Sequence, residues 1–210
     1  NMHLRLRYVL LEVVTVLICI AGLYQSSEKA GLPLTLGDKL QVLTADSMVQ
    51  DAIRTGDTLK SIATIPIQTT DEIEFLLDGA AIGDTVQLKM MGSISPEPFI
   101  TPIVIRRYYP LSFIVILLIS AGIFLGIAVY VRLRKSEGVD VQVLHALCLS
   151  MAILFMTTSG RYTVRLGIGY LAAAFFFAAY AFAPVFLFIF SIMMYKAILS
   201  YISKPSMLRI

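Results

Sequence analysis

Ala52-Ile53-Arg54-Thr55-Gly56-Asp57-Thr58-Leu59-Lys60-Ser61-Ile62 is the stretch from which the rest of the chain can be read. It is a turn built on Gly-Asp that opens an apolar strand, and Gly56 supplies the positive-φ backbone that other residues resist. A Pro-marked strand follows, Ile65-Pro66-Ile67, and then a short helix. Thr69-Thr70-Asp71-Glu72 has the form of a capping box, with Thr at the cap, Glu three residues on and two carboxylates in the first turn. Ile73, Leu76 and Leu77 fall on one helical face, and Gly79 ends the helix. A second Gly-Asp turn, Gly83-Asp84, leads into a strand in which Val86, Leu88 and Met90 alternate with Gln87 and Lys89.

Working outward, the polar composition extends from Gln25 to Arg107. Residues 28–107 hold 11 acidic and 7 basic side chains, and they read as one water-soluble α+β domain, mainly β. Leu40 and Val42 alternate with Lys39 and Gln41 as a half-buried strand. Ser47 begins a helical turn, Met48 to Ile53, whose apolar members can close over the core. Phe99 to Ile105 supplies a closing strand, and Pro102 within it implies a sheet edge. About 80 residues are enough for an independent core.

Beyond these limits the chain is apolar. Of its 210 residues 58% are hydrophobic and 15% charged, which is the composition of a membrane protein rather than a soluble one. Residues 8–24, 111–131 and 166–195 are long enough to cross a bilayer, for which roughly 20 apolar residues suffice. Residues 141–158 form a shorter fourth candidate, and within the last region the span is placed at about 171–195. Residues 1–27 are therefore read as transmembrane helix 1, 28–107 as the polar domain and 108–210 as three further transmembrane helices. The first helix is read as an uncleaved anchor: its apolar run exceeds a signal-peptide core, and Ile20-Ala21-Gly22-Leu23-Tyr24 is a poor cleavage site. The last region exceeds the bilayer thickness and must tilt, bend at Pro184 or begin at the interface.

Four features inside the apolar segments admit a functional reading beside a structural one. Glu12 lies near the membrane border and near Arg5 and Arg7, so an interfacial or neutral carboxyl is favoured over a functional one. His145 reads as packed or interfacial. Cys19 and Cys148 read as small core residues rather than a disulfide. Gly122 and Gly126, four apart, let a helix approach closely, which favours packing within the chain over a homodimer contact.

Charge sets the topology. Arg5, Arg7, Arg132, Arg134, Lys135, Lys196, Lys204 and Arg209 face only Glu137 and Asp140 on the side they share, whereas the polar domain has an acidic excess. The positive-inside rule then places both ends of the chain in the cytoplasm and the domain outside. The net charge of +3 is dispersed along membrane borders, which excludes a nucleic-acid surface. With His3 and His145 the only histidines, neither a two-histidine zinc site nor a Ser-His-Asp triad can be assembled in the domain. No phosphate-binding glycine loop and no paired-cysteine metal site occurs, so no catalytic residue, metal ligand or cofactor is assigned.

The succession of Gly-Asp turn, strand, capped helix, Gly-Asp turn and strand resembles the second half of a bacterial PDZ domain. The layout as a whole is similar to the input region of competence-pheromone-type sensor histidine kinases and of related sensors with phosphatase outputs. Ala52 to Ile62, the Arg106-Arg107-Tyr108-Tyr109 run before Pro110, the basic stop Arg132 to Lys135 and the Ser159-Gly160-Arg161 loop carry that similarity. The resemblance implies a domain on the outer face of a bacterial cytoplasmic membrane that takes an extended peptide or protein by strand addition beside a helix. The implied groove lies between Leu40–Leu43 and Asp71–Asp78, with Leu36, Gly37, Leu40, Gln41, Val42, Ile73, Leu76 and Leu77 as its residues and Leu34 to Gly37 as the carboxylate loop. It further implies a cytoplasmic output, a histidine kinase or serine phosphatase, outside this sequence. The alternative is a membrane scaffold or secretion-machinery component that uses the domain to hold an envelope partner.

Overall fold

The computed structural model describes residues 2–94, 97–134, 138–158 and 168–202. The chain divides into a helical unit and a polar domain built on Gln25–Leu111, somewhat wider than residues 28–107. The Ser159-Gly160-Arg161 loop, with Lys135, Glu137, Arg165, Lys204 and Arg209, lies outside the described residues.

The helical unit is made of α1 (Met2–Ser27), α3 (Leu111–Arg134), α4 (Val139–Thr157) and α5 (Ile168–Ile202). All four are long and apolar enough to cross a membrane, the qualifying segments being Leu6–Ser27, Leu111–Arg134, Val139–Thr157 and Ala173–Leu199. The chain is thus a multi-pass membrane protein with a β-rich polar part. The last apolar region is a single 35-residue helix that runs through Pro184 without interruption, about 52 Å at 1.5 Å per residue. It is the least covered of the four.

Small residues set the packing of the unit. Cys19, Leu117, Ala121, Ala152 and Met156 form one buried cluster, and Ala128, Cys148 and Leu149 another. Both cysteines are free and buried. The closest approach is at Gly22, where an added Cβ would overlap the Met156 carbonyl; this fixes the α1–α4 crossing. Gly122 and Gly126 behave otherwise: an added Cβ would meet nothing within 4 Å at either one. The small-residue stripe of α3 faces outward, contrary to the expected packing within the chain, because Ile114, Leu117, Ala121 and Ala128 occupy the inward face.

In the polar domain, β1 (Ala30–Gly31) pairs with β8 (Arg106–Arg107), and β2 (Leu34–Leu36) pairs with β3 (Val42–Ala45). The strands β4 (Thr58–Ile62), β5 (Ile65–Pro66), β6 (Thr85–Met91) and β7 (Pro98–Val104) form an antiparallel sheet in the order β5-β4-β6-β7. The helix α2 (Thr70–Leu77) covers the core through Ile73 and Leu77. Val42, Ile53, Leu59, Leu88, Met90, Ile103 and Ile105 are sealed inside with them. The alternation read in β6 is realised, with Leu88 and Met90 at 0% exposure, and Pro102 lies on the edge strand that its missing N–H implies.

Local signals act through the expected chemistry. Gly56 and Gly83 have φ of +95° and +97°. Behind each, an aspartate ties the turn: Asp57 Oδ2 accepts from Arg54 N at 2.8 Å, and Asp84 Oδ2 from Ala81 N at 3.0 Å. The other oxygen of Asp57 accepts from Ser93 N at 2.8 Å. Thr69 caps α2, its Oγ1 accepting from Glu72 N, while Glu72 reaches back to Gln68 N at 2.8 Å, one residue beyond the usual box.

Two segments differ from their reading. Leu40 is not in a strand but in the turn between β2 and β3, at φ +58°, held by Leu40 N donating to Gly37 O. Its side chain is nevertheless 4% exposed, because the turn folds it into the core. Residues 47–52 form turns rather than a helix; Ile53 is buried as expected, but Met48 is exposed.

Candidate ligand-binding groove

A groove of about 680 Å³ runs between β2 and α2. One wall is Thr70, Ile73, Glu74 and Leu77 of the helix; the other is Leu32 to Leu36, with Ala30, Gly31 and Tyr108 at one end and Thr44 to Asp46 behind. Among the described residues no strand pairs with the outer edge of β2.

The register of β2 determines what that edge offers. Pro33 O accepts from Asp46 N at 3.0 Å and Thr35 lies opposite Thr44. Bonded and unbonded pairs alternate in an antiparallel ladder, so Leu34 directs its N–H and C=O away from β3. The register shift after Thr35 places Leu36 opposite Val42, while Gly37 N donates to Gln41 O and Val42 N to Asp57 O. Leu36 therefore also turns its backbone outward. Two residues of open ladder lie alongside a helix, and these can take an extended chain.

Of the eight residues assigned from sequence, the structure brings Leu36, Ile73 and Leu77 to this groove. Gly37 begins the turn beyond it. Leu40 and Val42 are core residues, the latter at 0% exposure, and Gln41 spends its amide on Gly56 O. Leu76 lines a different cleft, of about 870 Å³, between β5 and the far side of α2 with Ile65 and Phe75. The groove strand is therefore β2, the segment assigned as the carboxylate loop, and not Leu40–Leu43. The β2–β3 pairing places β3 behind β2, with Val42 buried and Leu43 and Thr44 exposed.

The groove's two carboxylates were not singled out from sequence, and both are joined to the segments where the domain begins and ends. Glu74 Oε2 accepts from Lys29 Nζ at 2.8 Å, and its Oε1 from the Tyr108 hydroxyl at 2.8 Å. Lys29 Nζ also lies 4.6 Å from the centroid of the Tyr108 ring and 5.5 Å from that of Tyr109. Burial acts to raise the Glu74 carboxyl, but the hydrogen bonds from Lys29 and Tyr108 and the Lys29 charge outweigh it and hold the group below its ordinary value. Asp46 Oδ2 accepts from Arg106 Nη1 at 2.6 Å. The β1–β8 ladder continues through Tyr108 N donating to Lys29 O at 2.8 Å, and Gly31 is needed there because an added Cβ would come within 2.9 Å of Tyr108 Cα. The clue in the sequence was the placement of Lys29, Arg106 and Tyr108 at the borders of the polar domain.

Among the described residues no group of three or more His, Cys, Asp or Glu could hold a metal ion. No protein family, curated protein or solved structure matches the chain.

Proposed function

We propose that the polar domain is PDZ-like and takes an extended peptide or a protein segment as an added strand on β2, against α2, as the input portion of a bacterial membrane receptor. Its domain faces outward from the cytoplasmic membrane, and a cytoplasmic output beyond this sequence, a histidine kinase in the first instance, reads the result. The acidic excess of residues 28–107 against the basic segments on the opposite side supports that orientation. The observation that carries the proposal is the double tie of the groove to its own stems: Glu74 binds Lys29 and Tyr108, and Asp46 binds Arg106. A ligand that moves α2 or the β2–β3 hairpin must strain or release those bonds, and the stems continue covalently into α1 and α3. Such coupling works to the extent that the ligand favours one arrangement of the stems over another.

The test is selection of peptides from a random displayed library on the full chain in lipid nanodiscs, followed by binding to Leu34→Pro, which removes one outward N–H. Loss of binding with an unchanged melting transition is expected. Failure to select any peptide, or selected peptides that bind Leu34→Pro equally well, overturns the proposal.

A further inference from the structure

In the helical unit, one carboxylate oxygen receives two donors from two different helices. Glu12 Oε1, on α1, accepts from Arg132 Nε of α3 at 2.8 Å and lies 3.1 Å from His145 Nε2 of α4. Glu12 and His145 are buried, His145 to 1% exposure, and Arg132 is half-buried. The Tyr8 ring, one turn before Glu12, stands edge-on to the imidazole at 4.7 Å between centroids. The sequence reading set Glu12 beside Arg5 and Arg7; the structure gives it Arg132, 120 residues away, and His145, 133 residues away.

A carboxylate can only accept, so the imidazole nitrogen that faces the Glu12 carboxylate carries the hydrogen. In the neutral ring Nε2–H donates to Glu12, Nδ1 is the free base, and the cluster holds one positive and one negative charge. A proton taken from water onto Nδ1 makes the ring an imidazolium, whose bond to the carboxylate is charge-assisted and stronger. It also places a second cation on an oxygen already neutralised, in surroundings where an uncompensated charge is expensive. Among the described residues no further acid faces the ring from the packed helices: α1 brings Tyr8 and Glu12, α3 brings Arg132, and α4 itself holds Cys148 one turn on and Asp140 in its first turn. Tyr180, Tyr195 and Lys196 of α5 are exposed, as are Arg7 and Arg134. Arg132 is the group with somewhere to go, since it sits in the last turn of α3, is half-buried, and has the reach to carry its head to the headgroups.

We propose that Glu12, Arg132 and His145 form a proton-operated exchange: when His145 is neutral Glu12 holds α3 through Arg132, and when His145 takes a proton Glu12 passes to α4 and Arg132 is released. Histidine is the side chain suited to do this, because it changes charge between about pH 5 and 8. The exchange is independent of any ligand in the groove.

Two histidines are present, so in a His3→Gln background the imidazole signals belong to His145 alone. The full chain, labelled at histidine and arginine and held in lipid nanodiscs, is titrated by NMR, with the Arg132 Nε signal assigned by its loss in Arg132→Lys. Titration of His145 and a shift of Arg132 Nε–H with the same midpoint are expected, the arginine shift vanishing in His145→Gln. If His145 takes up no proton over the pH range in which the chain stays folded, or takes one up while Arg132 Nε–H stays unmoved, the exchange does not exist. The titration itself is read with the cluster intact, Arg132→Lys serving only to assign the signal, so it does not depend on whether His145→Gln folds.

Discussion

Glu74 in the polar domain and Glu12 in the helical unit each receive a cation and a second donor, and they are wired differently. Glu74 gives one oxygen to Lys29 and the other to Tyr108. Its two bonds can be full at once, and each supports the other by fixing the carboxylate plane. Glu12 gives the same oxygen to Arg132 and His145, so strengthening one bond weakens the other. The first arrangement suits a fastening and the second a choice between partners. The surroundings sharpen the contrast, because Glu74 is partly open to water whereas Glu12 lies among apolar helices with few other polar groups to turn to.

The largest effect that would test this contrast comes from removing one charge of the intramembrane pair. Glu12→Gln leaves Arg132 without its anion, and stability measured by thermal melting in detergent should fall, though by less than the about 3–5 kcal/mol of a fully buried pair, because Arg132 is half-buried and can carry its head toward the headgroups. The double variant Glu12→Gln/Arg132→Gln should recover most of that loss, since no unpaired charge remains. If the double variant is as unstable as the single one, Glu12 is held by packing rather than by charge.

A smaller loss is expected at the fastening. Lys29→Met should destabilise the polar domain by less than a fully buried pair would lose, because Glu74 keeps some contact with water. The pH dependence has a definite sign. A carboxyl held below its ordinary value in the folded state adds stability that is present above its unfolded pKa and is lost as pH falls through the folded one. Acid should therefore loosen the wild-type domain in a step that Lys29→Met lacks, followed by amide hydrogen exchange in β1 and β8. A step of equal size in the variant would show that Glu74 does not carry it.

The smallest effect belongs to Asp46. Its bond to Arg106 is between half-exposed partners, so Asp46→Asn should change the melting midpoint by the equivalent of about 0–1 kcal/mol. A much larger change would make the second stem tie as important as the first.

What was legible in the sequence was local. The Gly56-Asp57 and Gly83-Asp84 turns, the Thr69 cap, the alternation of Val86 to Met90 and the edge placement of Pro102 each depend on residues a few positions apart. The helical spans were legible because hydropathy needs no partner. The groove was displaced by one strand because its position depends on a hairpin whose corner, Leu40, adopts a positive φ that leucine ordinarily avoids. Its alternation with Val42 looked like a strand although the chain was reversing. Glu12, Arg132 and His145 could not be joined from sequence, since the bonds span 120 and 133 positions and the nearer arginines offered a simpler partner. Gly122 and Gly126 show the converse: spacing can state that close approach is permitted, but not on which side of the helix it is used.

Gly22 bears on movement as much as on packing. With its Cα pressed on the backbone of Met156, α1 has no clearance there to roll about its own axis or to ride past α4. A displacement of α1 toward α4 at that crossing therefore bears directly on the backbone of α4. A residue with no side chain is what makes that stiffness available, and the smallest addition to it would force the pair apart.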